Sequence, residues 1–176
     1  LVSPHRTKRP WQGQVEKLPP SSQPRFDPKC YLCPGNERAG GHRNPEYAAT
    51  FVFDNDFAAL LPDTPPGADE PHPLLRAESV HGICRVVCFS PRHNVTLPVM
   101  NGDDIYRVMI AFRDQFAELS ANHGIEHVML FENRGKIIGV SNPHPHGQIY
   151  ATGFVPRIPA ARYENSRRYR LDTGKC

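Results

Sequence analysis

Between residues 101 and 124 apolar side chains recur at helical spacing: Ile105, Val108, Met109, Phe112, Phe116 and Leu119 fall on one face, which reads as the core face. Asn101 is placed to cap this helix, Asp103 and Asp104 sit in its first turn, and Gly124 stops it. Elsewhere the pattern is that of strands. YAATFVFDNDFAALL carries β-branched and aromatic residues and is broken at DND. SVHGICRVVCFSP reads as a buried strand ended by PRHN, IEHVMLFEN as another, RGKIIG as a turn and SNPHPHGQIY as the next strand. The tail RYENSRRYRL reads as a helix. Residues 1–29 read as an extended basic arm, 30–46 as turn-rich, and DTPPGADEPHPLL as a proline-rich loop. Strands in succession with one main helix predict an α+β fold with a mainly antiparallel sheet, not a βαβ repeat. No internal repeat is visible. The glycine-bearing turns NERAGG and ENRGKIIG fit neither a Walker nor a dinucleotide template.

Composition narrows the classes. The 176 residues suit one domain, 1–176, with enough chain to bury a core. Nineteen prolines imply long loops. A formal charge of +3 does not argue for nucleic acid, and leaves room for a local anion-binding face. No apolar run approaches the roughly 18 residues of a membrane span, and LVSPHRTKRP lacks the apolar core of a secretory signal. The chain starts at Leu1 and stops at RLDTGKC without a finishing signal, which suggests a fragment at both ends.

The five cysteines are Cys30, Cys33, Cys84, Cys88 and Cys176. An odd number, no signal and one C-x-x-C favour thiols and metal over disulfides, hence a reducing, cytoplasmic compartment. Cys30 and Cys33 suit one ion. A four-coordinate zinc needs two further ligands, and His42, His93, Cys84, Cys88, His144 and His146 are the candidates. Cys84 and Cys88, four apart on a strand, read as buried small apolar residues.

In SNPHPHGQIY an extended backbone puts Asn142, His144, His146, Gln148 and Tyr150 on one face, each roughly 7 Å from the next. The alternating Pro143 and Pro145 line up the missing donors along one edge. They predict an edge strand and a stiff row. Two chemistries suit such a row. One is metal ligation by His-x-His. The other is attack of one imidazole on phosphorus while its neighbour or Gln148 holds the oxyanion.

SNPHPHGQIY also resembles the active-site signature of the galactose-1-phosphate uridylyltransferase family, within the histidine-triad superfamily. SPHRTKRPWQGQ, the C-x-x-C followed by PGN, TFVFDNDFAAL, CFSPRHN with TLP, and FENRGKIIG fall in the family's order at similar spacing. The resemblance covers residues 1 to about 160. It implies a histidine-triad-like fold, the N-terminal half of a two-repeat transferase. It assigns Cys30, Cys33, His93 and His144 to one structural Zn2+. It makes His146 the nucleophile, with its other ring nitrogen held by a backbone carbonyl of the motif, and puts Gln148 on a phosphoryl oxygen. Ala39, Phe53, Asn55 and Asp56 are implied to line a uridine pocket, with Asp56 on the ribose. Asn133 and Ser141 are implied to contact phosphate, and Arg6 and Arg9 to reach the nucleotide across a homodimer.

The implied reaction is a two-step, ping-pong transfer of UMP from UDP-glucose to galactose 1-phosphate, releasing glucose 1-phosphate and then UDP-galactose. The competing readings are another histidine-triad nucleotidyl transferase or phosphorylase acting on ADP-sugars, and a non-catalytic zinc-stabilised binding module. Three positions depart from the family. A family glutamate that joins a second, iron-type site aligns with Arg162, two before Glu164, so that site is not supported. Val140 and Tyr150 stand where cysteine and tryptophan are common.

Overall fold

The computed structural model describes residues 23–135, 138, 140 and 142–175. A four-stranded antiparallel sheet is built from β1 (Phe51–Asp54), β4 (Gly82–Cys88), β5 (His127–Phe131) and β6 (His146–Thr152). Its order is β1-β4-β6-β5. Two strands, β2 (Ala68–His72) and β3 (Leu75–Glu78), form a separate hairpin. The helices are α1 (Gly102–Ser120) and α2 (Arg157–Thr173). Among the described residues no helix is long and apolar enough to cross a membrane.

The core strands β4 and β6 pair from Gly82↔Thr152 to Cys88↔His146. Alternation along them divides the side chains between two faces. On one face Val87, Phe89, Ile149 and Ala151 pack with Val128 against Val108 and Leu119 of α1. Asn101 caps α1 through a hydrogen bond from the Asp104 N–H (2.8 Å) to its side-chain oxygen. Arg85, on the same face of β4, ties strand to helix: it pairs with Asp54 (3.0 Å) and Glu118 (2.8 Å) and donates to Gln115 (2.6 Å). The other face carries Val86 and Cys88. It packs with Phe51 and Phe53 against the turn-rich segment holding Cys30, Leu32 and Cys33. All three sheet pairings are antiparallel, as the succession of strands predicts.

Five expectations change. The strand expected over 141–150 begins at His146, after both prolines. It is a central strand, not an edge strand, with β4 on one side and β5 on the other. The prolines therefore end the ladder on its N-terminal side instead of lying along an open edge. The proline-rich stretch contains the β2–β3 hairpin, which has no apolar alternation to announce it: every side chain of β3 is exposed. The segment after DND forms turns, not a second strand. Finally, the apolar stripe of α1 is only partly core: Met109 and Phe116 are each 48 % exposed.

Candidate active site and metal centre

The C-x-x-C is wound into a tight turn in which the Cys33 N–H donates to the Cys30 carbonyl (3.2 Å). Gly35, at φ 72°, lets the chain reverse after Pro34. This turn meets two other loops. One is the loop after β4, which presents His93, and the other is the residues before β6, which present His144. Cys30, Cys33, His93 and His144 are all buried, and their ligand atoms lie within 4.8 Å of one another, so the four could hold one metal ion. Cys33 Sγ is 3.6 Å from His93 Nδ1 and 3.5 Å from His144 Nδ1.

Polar groups around this cluster fix its side chains. His144 Nε2 donates to the Ser90 carbonyl (2.9 Å), which turns the Nδ1 lone pair toward Cys33. The Tyr47 hydroxyl lies 3.0 Å from the same Nε2 and donates to the Leu32 carbonyl (2.5 Å). Asn142 accepts from the His144 N–H (2.9 Å) and lies 3.5 Å from Cys30 Sγ. Asn44 donates to the carbonyls of Tyr31 and Cys33, both at 2.9 Å. Burial pushes the Cys33 thiol up to about 11 and the His144 imidazole down to about 4. The protein alone thus disfavours charge on these two groups, and a bound cation would let the Cys33 thiol ionise.

The register of the sheet lays out the candidate catalytic face in rows. Phe51, Cys88 and His146 stand opposite one another, and Phe53, Val86, Gln148 and Phe131 form the next row. His146 is the first residue of β6. Its Nδ1 donates to the His144 carbonyl (2.7 Å), so the free lone pair is on Nε2. Gln148 lies two residues on, half-buried on the same face. Between them Gly147 points into the core. A Cβ there would come within 2.8 Å of Phe89 Cζ and 3.0 Å of both Phe112 Cζ and the Phe131 carbonyl oxygen.

The expected uridine residues gather at the β1 side. Phe53 shares its row with Gln148, two strand spacings or roughly 10 Å away. Ala39 opens a short 3-10 turn beside Arg38. Asp56 Oδ2 is 3.1 Å from Arg38 Nε. The Asn55 side chain accepts from the Phe57 N–H (2.9 Å), a local turn contact. Asn133 is exposed, two residues beyond Phe131. Arg6, Arg9 and Ser141 lie outside the described residues. Glu164, two residues after Arg162, is held by Arg167 (3.0 Å) on α2.

Four side chains at the site escaped the sequence reading. Tyr47, Asn44 and Arg38 are single polar residues in loops, and nothing in their local pattern marks them. Glu132 follows Phe131; burial pushes its carboxyl above the usual range while Arg134 and His146 pull the other way. The only signal for it was its place in FENRG.

Comparison with known proteins extends this geometry. Residues 1–156 match the sequence family described as galactose-1-phosphate uridyl transferase, N-terminal domain. A galactose-1-phosphate uridylyltransferase of Haemophilus influenzae is 47% identical over 174 residues, covering 99% of this chain and 49% of that protein. The chain spans about half the length of the curated relatives it matches. A solved uridylyltransferase superposes with a TM-score of 0.72 at 25% identity, over 96% of this chain and 52% of that one. An ADP-glucose phosphorylase from Arabidopsis thaliana, solved with bound ADP-glucose, gives 0.67 at 25% identity, over 99% and 51%. The expected α+β, histidine-triad-like fold agrees with these neighbours and with the antiparallel sheet.

Proposed function

The chain belongs to the galactose-1-phosphate uridyl transferase family, matching its N-terminal domain, and from that premise we propose that it carries the nucleophilic half of a UDP-glucose–hexose-1-phosphate uridylyltransferase. The observation that carries the reading is the His146 imidazole, whose Nδ1–H is tied to the His144 carbonyl at 2.7 Å. That bond fixes the tautomer and orients Nε2 as the nucleophile. Nε2 attacks the α-phosphorus of UDP-glucose, the bond to the β-phosphate oxygen breaks, and glucose 1-phosphate leaves. A phosphate oxygen of galactose 1-phosphate then attacks the uridylyl-histidine, forming UDP-galactose and returning the electron pair to Nε2. The Gln148 amide donates to a non-bridging oxygen as charge shifts during each displacement. Asn133 and Ser141 are assigned to the phosphates. The uridine runs toward Ala39, Phe53, Asn55 and Asp56, because the two strand spacings between Phe53 and Gln148 suit one nucleoside.

The metal is read as zinc. A tetrahedron with Zn–S of about 2.3 Å and Zn–N of about 2.0 Å has sulfur–nitrogen edges of about 3.5 Å. The two Cys33 edges measure 3.5 and 3.6 Å. Four protein ligands leave no open position, so the ion would pin His144, whose carbonyl in turn orients His146. Arg6 and Arg9 are assigned to the nucleotide across a homodimer. The buried free thiols suit the cytoplasm.

The test is to incubate the full-length protein with uridine-labelled UDP-glucose. The expected product is acid-labile, base-stable UMP on His146, absent from His146→Gly. The same adduct on His146→Gly would remove His146 from the mechanism. The ADP-glucose-bound neighbour makes ADP-sugars the competing donors, and a panel of UDP- and ADP-sugars decides between them. A zinc-stabilised binding module would show zinc, salt-dependent polyanion binding and no covalent nucleotide.

A further inference from the structure

Arg38 has no part in the chemistry above, yet it joins the metal-bearing turn to the nucleoside side of the sheet. Its guanidinium lies 3.8 Å from the centroid of Phe53 and 5.9 Å from that of Phe51. At the nearer distance the planar group stacks on the ring and holds its orientation. One terminal nitrogen donates to Asn44 (3.3 Å), and Asn44 itself donates to the Cys33 carbonyl (2.9 Å). Arg38 Nε lies 3.1 Å from Asp56 Oδ2, with the two side chains only 11% and 17% exposed. The two atoms form an ion pair without hydrogen-bond alignment, so the shielded Nε proton has no partner among the described residues. A shielded, unmet donor facing a carboxylate marks an arrangement that a ligand completes.

We propose that Arg38 is a positioning residue for the nucleoside. It holds Phe53 and Asp56 in the geometry that accepts a ribose diol, and through Asn44 it makes that geometry depend on the metal-bearing turn. The inference rests on the nucleoside assignment of Phe53 and Asp56 given above. A ribose seated on Asp56 Oδ1 rotates the carboxylate and brings Oδ2 into line with Nε. Without the guanidinium Asp56 loses its fixed position and the distinction between ribose and deoxyribose fades.

The experiment uses the full-length, metal-loaded protein and compares wild type with Arg38→Met and Arg38→Lys. UMP and 2′-deoxy-UMP are titrated by calorimetry, and the rate of UMP transfer onto His146 is measured at saturating UDP-glucose. In Arg38→Met, UMP binding weakens by about tenfold or more and the UMP to 2′-deoxy-UMP preference falls toward one, with the saturated transfer rate within about threefold of wild type. Arg38→Lys keeps the charge without the planar fork and does not restore the preference. Adding Asp56→Asn to Arg38→Met causes no further loss. Metal content stays that of wild type in all variants, which separates this role from support of the fold. An unchanged preference in Arg38→Met, or a wild-type preference near one, overturns the proposal. A wild-type protein that prefers UMP and forms no adduct overturns the transfer reading and leaves Arg38 in place.

Discussion

His144 is fixed at three points. Its N–H bonds the Asn142 side chain, its Nε2 bonds the Ser90 carbonyl, and the Tyr47 hydroxyl sits 3.0 Å from the same nitrogen. Groups behind a metal-ligating histidine typically shift metal affinity by about 10–100-fold. Tyr47→Phe removes the hydroxyl and keeps the ring stacked on Phe51. Metal affinity should fall by about tenfold in competition with a chromophoric chelator, with folding intact. Cys30→Ser removes a ligand outright, and metal content should drop sharply by elemental analysis. Full retention there would move the site toward Cys88, which is buried in the same cluster. The cluster of Cys30, Cys33, His93 and His144 was legible because few residue types bind metal and because the motifs stand in an order that resembles a known family's. Tyr47 was not. Its two partners, Leu32 and His144, are 15 and 97 residues away, and only folding brings them to one hydroxyl.

At the scale of the element, β6 shows how a correct face assignment can accompany a wrong position in the sheet. The alternation of His146, Gln148 and Tyr150 against Gly147, Ile149 and Ala151 was readable and holds. The place of the strand was not, because pairing partners on both sides are set by β4 and β5 and leave no mark within ten residues. The prolines end the strand, and the Pro145 carbonyl still accepts from the Phe89 N–H (2.9 Å), so the ladder closes just before His146. Gly147 is what this central position demands. Its neighbours include the backbone oxygen of Phe131, which cannot move without dragging β5. Gly147→Ala should therefore lower stability by about 1–3 kcal/mol, read from the denaturant midpoint. Uridylylation should slow as well, since His146 and Gln148 flank the displaced residue. A variant as stable as wild type would mean that the Phe89 and Phe112 rings yield freely.

Across the whole molecule, the sheet separates two clusters that depend on different forces. On the helical face, Val87, Phe89, Val108, Leu119, Val128, Ile149 and Ala151 bury apolar surface and include no metal ligand. On the other face, the cluster of Cys30, Leu32, Cys33, Val86 and Cys88 includes two of the four candidate ligands. The loops there have little regular structure, so a metal ion held by the four side chains would take the place of a ladder in fixing them. Chelation should accordingly loosen one face first. Amide hydrogen exchange in residues 27–36, 90–95 and 142–146 should speed up by at least tenfold, with α1 and the Ile149–Ala151 stretch keeping their protection. Phe89 is the junction between the two responses. Its ring belongs to the helical cluster, while its N–H bonds the Pro145 carbonyl beside the candidate metal ligand His144. Protection of that one amide should fall with the metal face although its side chain stays packed. If α1 lost protection in step with the C-x-x-C turn, the two faces would form one cooperative unit, and the metal would be holding the entire sheet.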